Sequence, residues 1–195
     1  MRQLKTYLVL LSITMLLFSC NEKDKVEILF QENGSDWFSE GDADWKFINN
    51  ELVGSLEEGA GFVMTKNTYR DFVLELEFKP DSAINSGVFV RCKNKELSNI
   101  DCYEINIWDL HPDQTNRTGA VVTRAKPLEI VETLYKWNNY KIKNQSNHLE
   151  VWINGVKTAD ITDNDLVEGP IALQAAESGS ISFRNIKIQN LNAGH

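Results

Sequence analysis

Positive charge is scarce in this chain of 195 residues. Lysine and arginine number 20 against 28 aspartates and glutamates, giving a formal net charge of −8. Binding to nucleic acid or anionic lipid rests on phosphate contacts from Lys and Arg. The deficit therefore excludes polyanion partners and leaves neutral ligands such as sugars open. Zinc patterns are also missing: there is no CxxC, and the three histidines, His111, His148 and His195, are scattered. No window holds a sustained helical period, which excludes a helical bundle. No internal repeat or low-complexity segment is present. The apolar run Leu8 to Phe18 is too short to cross a bilayer.

What is present begins with that run. It follows Arg2 and Lys5 and ends at Leu17-Phe18-Ser19-Cys20, the form of a secretory signal. The pattern resembles the lipobox of bacterial lipoproteins. The resemblance implies cleavage before Cys20 and acylation of its thiol. The mature protein would then sit in the cell envelope, lipid-anchored to a bacterial membrane and facing periplasm or exterior. The alternative is a plain secreted protein with Cys20 unmodified. Several acyl chains hold a protein on a bilayer stably, where one binds only marginally. Residues 1–19 thus read as a lipoprotein signal peptide, 20–25 as a charged tether, and 26–195 as one domain. Loss of Arg2 and Lys5, with no acid in the leader, takes the net charge from −8 to −10. Of the three cysteines, Cys92 and Cys102 remain. In an oxidising compartment they read as a disulfide across a short loop, or as two separate buried thiols.

After the tether, period-two alternation dominates. Phe72, Leu74, Leu76 and Phe78 share one strand face opposite Glu75, Glu77 and Lys79. Ile181, Phe183, Ile186 and Ile188 nearly repeat this, and the break at Asn185 predicts a bulge. Leu149 to Ile153, Asn154-Gly155 and Val156 to Ile161 predict a hairpin, because Asn-Gly readily takes positive φ. Further strands are expected at 26–30, 44–55, 60–65, 86–92, 102–109, 118–124 and 137–144, with one helical turn at 131–135. A dozen short strands cannot form one open sheet without curling, so an all-β fold of two packed sheets is predicted. Trp37, Trp45, Phe47, Phe62 and Phe72 read as core.

Three segments combine polar groups with strand geometry. In Asn85-Ser86-Gly87-Val88-Phe89-Val90-Arg91, alternation places Phe89 and Arg91 on one face, and Gly87 permits close backbone approach. In 103–113, Tyr103, Ile105 and Ile107 point one way and Glu104, Asn106 and Trp108 the other. An acid, an amide and an indole on one face suit a sugar, through hydroxyl hydrogen bonds and ring stacking. Asp109 and His111 follow where the chain turns. The third segment is Gly169 to Gln174, followed by Phe183-Arg184-Asn185-Ile186. The competing reading of a polar strand face is simply the solvated side of an antiparallel sheet.

At these residues the chain resembles the 3-keto-disaccharide hydrolase domain family, from about Glu27 to Leu191. The resemblance is carried in order by Leu29-Phe30 with Trp37, by Asn85 to Arg91, by Tyr103 to Asp109 with His111-Pro112-Asp113, and by Thr118-Gly119-Ala120. It continues through Trp137-Asn138, Asn154-Gly155, Gly169 to Gln174 and Phe183 to Ile186. It implies a concanavalin A-like jelly roll, the two-sheet antiparallel form of the sandwich. It also implies cleavage of a glycoside already oxidised to a ketone at sugar C3. The ketone acidifies the C2 proton; a base removes it, the C1 substituent departs by elimination, and water adds to the enone.

On that reading Glu104 or His111 is the base, and Asp109 orients His111 or helps hold a divalent cation. Arg91 stabilises the enolate or binds hydroxyls. Asn85, Asn106, Trp108 and Gln174 bind the ring. Three departures stand out: Asn106 where Gln is usual, Val122 where Tyr is common, and Ala175-Ala176 where His-Gly is frequent. Glu177 is the nearest substitute for that His. A rival reading is a non-catalytic glycan-binding lipoprotein. A retaining glycosidase, which needs two carboxylates about 5–5.5 Å apart, is disfavoured by the opposite parity of Glu104 and Asp109.

Overall fold

A computed structural model describes residues 26–191. The signal segment, Cys20, the tether and His195 lie outside the described residues. Thirteen strands form: β1 (Val26–Ile28), β2 (Trp37–Gly41), β3 (Asp44–Ile48), β4 (Glu51–Leu56), β5 (Ala60–Thr65), β6 (Phe72–Pro80) and β7 (Ile84–Val90). Then come β8 (Tyr103–Ile107), β9 (Asn138–Gln145), β10 (His148–Ile153), β11 (Val156–Thr162), β12 (Ala172–Glu177) and β13 (Gly179–Asn190). They build the expected jelly-roll sandwich of two antiparallel sheets. The larger sheet runs β11-β10-β9-β6-β13-β4-β3, with β1 added along the end of β13; the smaller runs β2-β5-β12-β7-β8.

Alternation decides the core. Phe72, Leu74, Leu76 and Phe78 of β6 and Ile181, Phe183, Ile186 and Ile188 of β13 point inward. They meet Val88, Val90, Tyr103, Ile105, Ile107 and Leu173 of the smaller sheet. The bulge foreseen at Asn185 is present: register shifts between Arg184 and Lys187, and Asn185 has φ 53°. Asn154-Gly155 closes the β10–β11 hairpin with both residues at positive φ.

Several expectations change. The stretch 44–55 is a hairpin, β3 to β4, turned by Asn49 and Asn50 at φ 52° and 64°, the two positive values a tight primed turn needs. Strand β2 went unread. Residues 118–124 are not a strand: Gly119 at φ 88° and Thr123 at φ 66° turn the chain, and only Val121 bridges Ile105 and Ala125. That segment still covers the outer edge of β8, where Asn106 N donates to Ala120 O and Val122 N to Glu104 O. Residues 131–135 form no helical turn; Tyr135 sits in a turn at φ 61°. Among the described residues the helical feature is a 3₁₀ turn, Gln114–Asn116, capped by Asp113. Phe72 is core and Trp37, Trp45 and Phe47 pack against it, but Phe62 lies on the other side of the smaller sheet.

Cys92 and Cys102 form a disulfide that closes the loop between β7 and β8. The bridge packs with Met64, Phe89 and Ala172, and with Phe38, Phe62 and Leu97 at its margin, into a second apolar cluster outside the main core. Lys95 reaches to 5.6 Å from the Phe38 ring, so the loop folds across the outer face of the smaller sheet. Cys102→Ala is expected to lower unfolding free energy by about 2–3 kcal/mol, the chain-entropy value for so short a loop. The shift in urea midpoint measures it.

Candidate active site

Cross-strand register lays out the outer face of the smaller sheet. One row reads Phe38, Met64, Ala172, Phe89 and Glu104; the next reads Glu40, Phe62, Gln174, Gly87 and Asn106. A third reads Ala60, Ala176 and Asn85, with Trp108 one step beyond β8. The disulfide loop roofs the first row. Gly87 is the low point of the second. A Cβ there would stand 3.3 Å from Phe89 Cε2 and 3.6 Å from Glu104 Cγ. The missing side chain lets the Phe89 ring and the Glu104 stem close over this row, and Gly87 itself is buried between Gln174 and Asn106.

Glu104 is half-buried between this row and the cluster that contains Phe89 and Cys102. Burial raises its carboxyl to about 7, with no opposing charge or hydrogen bond contributing. A carboxylate with that proton affinity suits proton abstraction near neutral pH. Gln174 is half-buried on the same face, and its Oε1 is fully enclosed without a hydrogen-bond partner. An enclosed, unpaired amide oxygen costs free energy and is out of a ligand's reach, so Gln174 meets solvent only through the rest of its half-buried side chain. Asn85, half-buried, occupies the adjoining row.

Other expected members fall elsewhere. Arg91 is not on this face. β7 ends at Val90, and Arg91 takes φ 53°, which breaks the alternation. Its guanidinium, 1% exposed, is enclosed by Arg70 O (2.9 and 2.5 Å), Ser146 O (2.8 Å), Leu166 O (3.2 Å) and Asp71 Oδ1 (3.1 Å). That is a structural plug, and the role at an enolate is withdrawn.

Asp109 is also structural. Its carboxylate accepts from Thr133 N (2.6 Å) and Thr133 Oγ1 (2.8 Å), and Arg117 stands 3.9 Å away. With both oxygens engaged it neither orients His111 nor offers a metal ligand.

Asn106 has the expected parity, but its amide donates to Asn116 O and accepts from Ile107 N (3.0 Å). It is 2% exposed and pins the 114–120 segment rather than a ligand. Glu177 ends β12 in an exposed turn at φ 67°, opposite Ile84. Ile84 is five residues from Phe89, the partner of Glu104, or about 17 Å along the strand. The substitution of Glu177 for a catalytic His therefore fails.

His111 sits at the rim, its ring 4.5 Å edge-on from Trp108. Its Nδ1 accepts from Asp113 N (3.0 Å), which leaves the ring proton on Nε2. Four residues of chain separate Glu104 from Trp108, about 14 Å if extended. The two proton-handling candidates thus stand well apart, with Glu104 in register beside the Gly87 row and His111 beyond the end of β8.

The trio Glu104, Asp109 and His111 does not converge, so the site does not fit a divalent cation on those ligands. Among the described residues, three potential donors do meet at His148, Glu150 and Asp160, on the larger sheet. There the Lys157 ammonium already bridges Glu150 and Asp160 at 2.7 Å each.

A groove of about 730 Å³ lies on that opposite side of the sandwich, lined by Glu75, Glu77, Lys141, Trp152, Asn185 and others. Its charges are committed. Burial alone would raise the Glu77 carboxyl, but hydrogen bonds from Asn185 and Arg184 hold it below its usual value. The ammonium groups of Lys141 and Lys157 flank Trp152 at 5.5 and 5.1 Å. The raised Glu104 carboxyl of the smaller sheet has no counterpart in this groove.

Sequence reading missed Phe62 as part of this face and Phe89 with the disulfide as the apolar cover of Glu104. The register of β5 against β12 exposes the first, and the fold of the 92–102 loop creates the second.

Among solved structures, a protein of Parabacteroides distasonis described as a candidate glycosyl hydrolase is similar at 25% identity. The match covers 86% of this chain and all of that one, with a TM-score of 0.72. A carbohydrate-binding module of Bacillus subtilis shares the fold at 16% identity over 83% of this chain and 99% of that one, TM-score 0.65. The β-glucanase of Bacillus licheniformis does so at 16% identity over 86% and 98%, TM-score 0.57. No curated protein matches the chain. Residues 25–189 match the family model of the 3-keto-alpha-glucoside-1,2-lyase-like domain, and the chain belongs to that family.

Proposed function

We propose that this protein is an extracytoplasmic lipoprotein, tethered through Cys20, that cleaves 3-keto-glycosides by abstraction of the C2 proton. Family membership and the glycoside-processing relatives make the function glycan-related. The finer reading is carried by one observation: the Glu104 carboxyl, raised to about 7 by burial, lies half-buried on the outer face of the smaller sheet, one row from Gln174. The Cys92–Cys102 disulfide suits an oxidising compartment.

In this reading the oxidised sugar ring lies against Glu104 on the outer face of the smaller sheet. Glu104 takes the C2 proton, and the electron pair delocalises onto the C3 oxygen as an enolate. The C1–O bond then breaks, and the departing oxygen takes a proton from solvent. Water adding to the enone completes net hydrolysis. Gln174 and Asn85 hold hydroxyls, Trp108 borders the ring, and Arg91 takes no part. General base catalysis of this kind contributes about 10²–10⁴-fold.

The test is incubation of the purified domain with 3-keto-glucosides and with the parent glycosides. Leaving-group release from the ketosugars alone is expected; release from neither overturns the reading. A non-catalytic glycan binder is favoured by one feature, the internally satisfied Asn106 amide. It predicts binding without release.

A further inference from the structure

Register carries two rows of side chains across the outer face of the larger sheet, starting at β1. One reads Ile28, Lys187, Glu75, Lys141, Trp152 and Lys157. The other begins with Val26, Gln189, Val73 and Lys143 and ends at Glu150 and Asp160. Four lysines thus stand among three acids here, although the whole chain carries −8. The scarcity of positive charge is a property of the chain and not of this face. Val26 and Ile28 are 52% and 51% exposed at its margin. With Val73 they line a groove of about 590 Å³ whose other walls include Lys141 and Lys187. Apolar side chains and an indole interleaved with lysines suit the boundary between membrane and water.

Six steps of chain join Cys20 to Val26, a reach of at most about 20 Å. An anchor at Cys20 holds β1 at the lipid headgroups. The adjoining face then meets the bilayer at an effective concentration of about millimolar, where weak contacts suffice. The two sheets pack about 10 Å apart, and their outer faces point in opposite directions. Turning Glu104 to the membrane would stretch the same short span around the edge of the sandwich.

We propose that the outer face of the larger sheet around β1 rests on the bilayer that holds the Cys20 anchor, so that the Glu104 face points away from the membrane toward dissolved glycosides. The proposal rests on the reading of Cys20 as the anchored residue and adds a second, non-covalent contact that sets orientation.

The experiment couples the mature chain, through the Cys20 thiol, to a maleimide lipid in vesicles of equal parts phosphatidylcholine and phosphatidylglycerol. Cys92 and Cys102 are closed to the reagent by their disulfide. Lysines are then acylated with a succinimidyl ester and followed by mass spectrometry, against the uncoupled protein. Lys141 and Lys187 should label at least about threefold more slowly on the vesicle, by occlusion at the interface. Lys93 and Lys95, exposed on the loop over the smaller sheet, should be unchanged. Ile28→Glu should restore the free labelling rate at Lys141 and Lys187 without moving the urea midpoint; should that variant fold poorly, the wild-type contrast still decides. Equal rates at the two pairs, or slowing at Lys93 and Lys95 instead, overturns the proposal. Protection of Lys141 and Lys187 that grows with concentration in the uncoupled protein marks a second copy as the occupant and overturns it too. Because the coupling is chemical, the labelling judges the face by itself. The mass of the Cys20 peptide from chain expressed with its own leader judges the anchor, and an unmodified thiol there would remove the anchor alone.

Discussion

Glu104→Gln is expected to reduce turnover of a 3-keto-glucoside by at least about 100-fold, with little change in KM, because the amide keeps the shape but cannot accept the C2 proton. The wild-type pH profile carries the same signature. The base must be ionised, so kcat/KM should rise with pH and reach half its plateau near 7, where burial places the carboxyl. A limb near 4.5, the ordinary value for glutamate, would mean that the working base is another group.

The same burial makes a stability prediction of opposite sense. Below about pH 4.5 Glu104 is neutral both folded and unfolded and costs nothing. Between there and about 7 the unfolded chain ionises first, and native stability falls. Above 7 the full cost is present. At about 1.4 kcal/mol per pKa unit, Glu104→Gln should be more stable than wild type by up to about 3 kcal/mol at pH 8 and no different at pH 4. Denaturant midpoints at the two pH values check it. A variant equally inactive but not stabilised at pH 8 would place Glu104 in solvent and remove the reason for its raised carboxyl.

Arg91→Ala should cost about 3–5 kcal/mol, the range for removing one partner of a buried ion pair. The deletion leaves the carbonyls of Arg70, Ser146 and Leu166 without the guanidinium donor, and the Asp71 carboxylate with Ser146 N but no cation. Against a total of roughly 5–15 kcal/mol for a domain, that is a large share. Arg91→Lys should recover little, since one ammonium cannot meet acceptors spread around a planar fork. The decisive contrast is kinetic. In conditions where the variant remains folded, KM and kcat on the 3-keto-glucoside should match wild type, because the Arg91 guanidinium is enclosed away from the Glu104 face. A raised KM with unchanged urea midpoint would return Arg91 to the substrate.

These two residues mark where sequence reading held and where it broke. Both were assigned to a face by period-two alternation. For Glu104 the strand persists from Tyr103 to Ile107, the register with β7 is regular, and the face was legible. For Arg91 the strand ends one residue early. A single positive φ swings the side chain from the sheet into an enclosure made by carbonyls 21 to 75 residues away. Asp109 failed for the same kind of reason, since its partner Thr133 lies 24 residues on. Asn106 kept its parity but lost its amide to Asn116. Phe62 was read as core because an isolated aromatic carries no sign of which side of a sheet it faces; only the pairing of β5 with β12 decides that.

By itself the sequence determined the all-β class, the strand that carries Glu104, the bulge at Asn185 and the Asn-Gly hairpin. These depend on local alternation and on backbone torsions that a few neighbouring residues set. Tertiary structure alone decided what Glu104 is. Its proton affinity comes from burial beside the Phe89 and Cys102 cluster under a folded loop. Desolvation is a property of what surrounds a group in space, and strand order, loop packing and side-chain enclosure fix it only once distant segments meet.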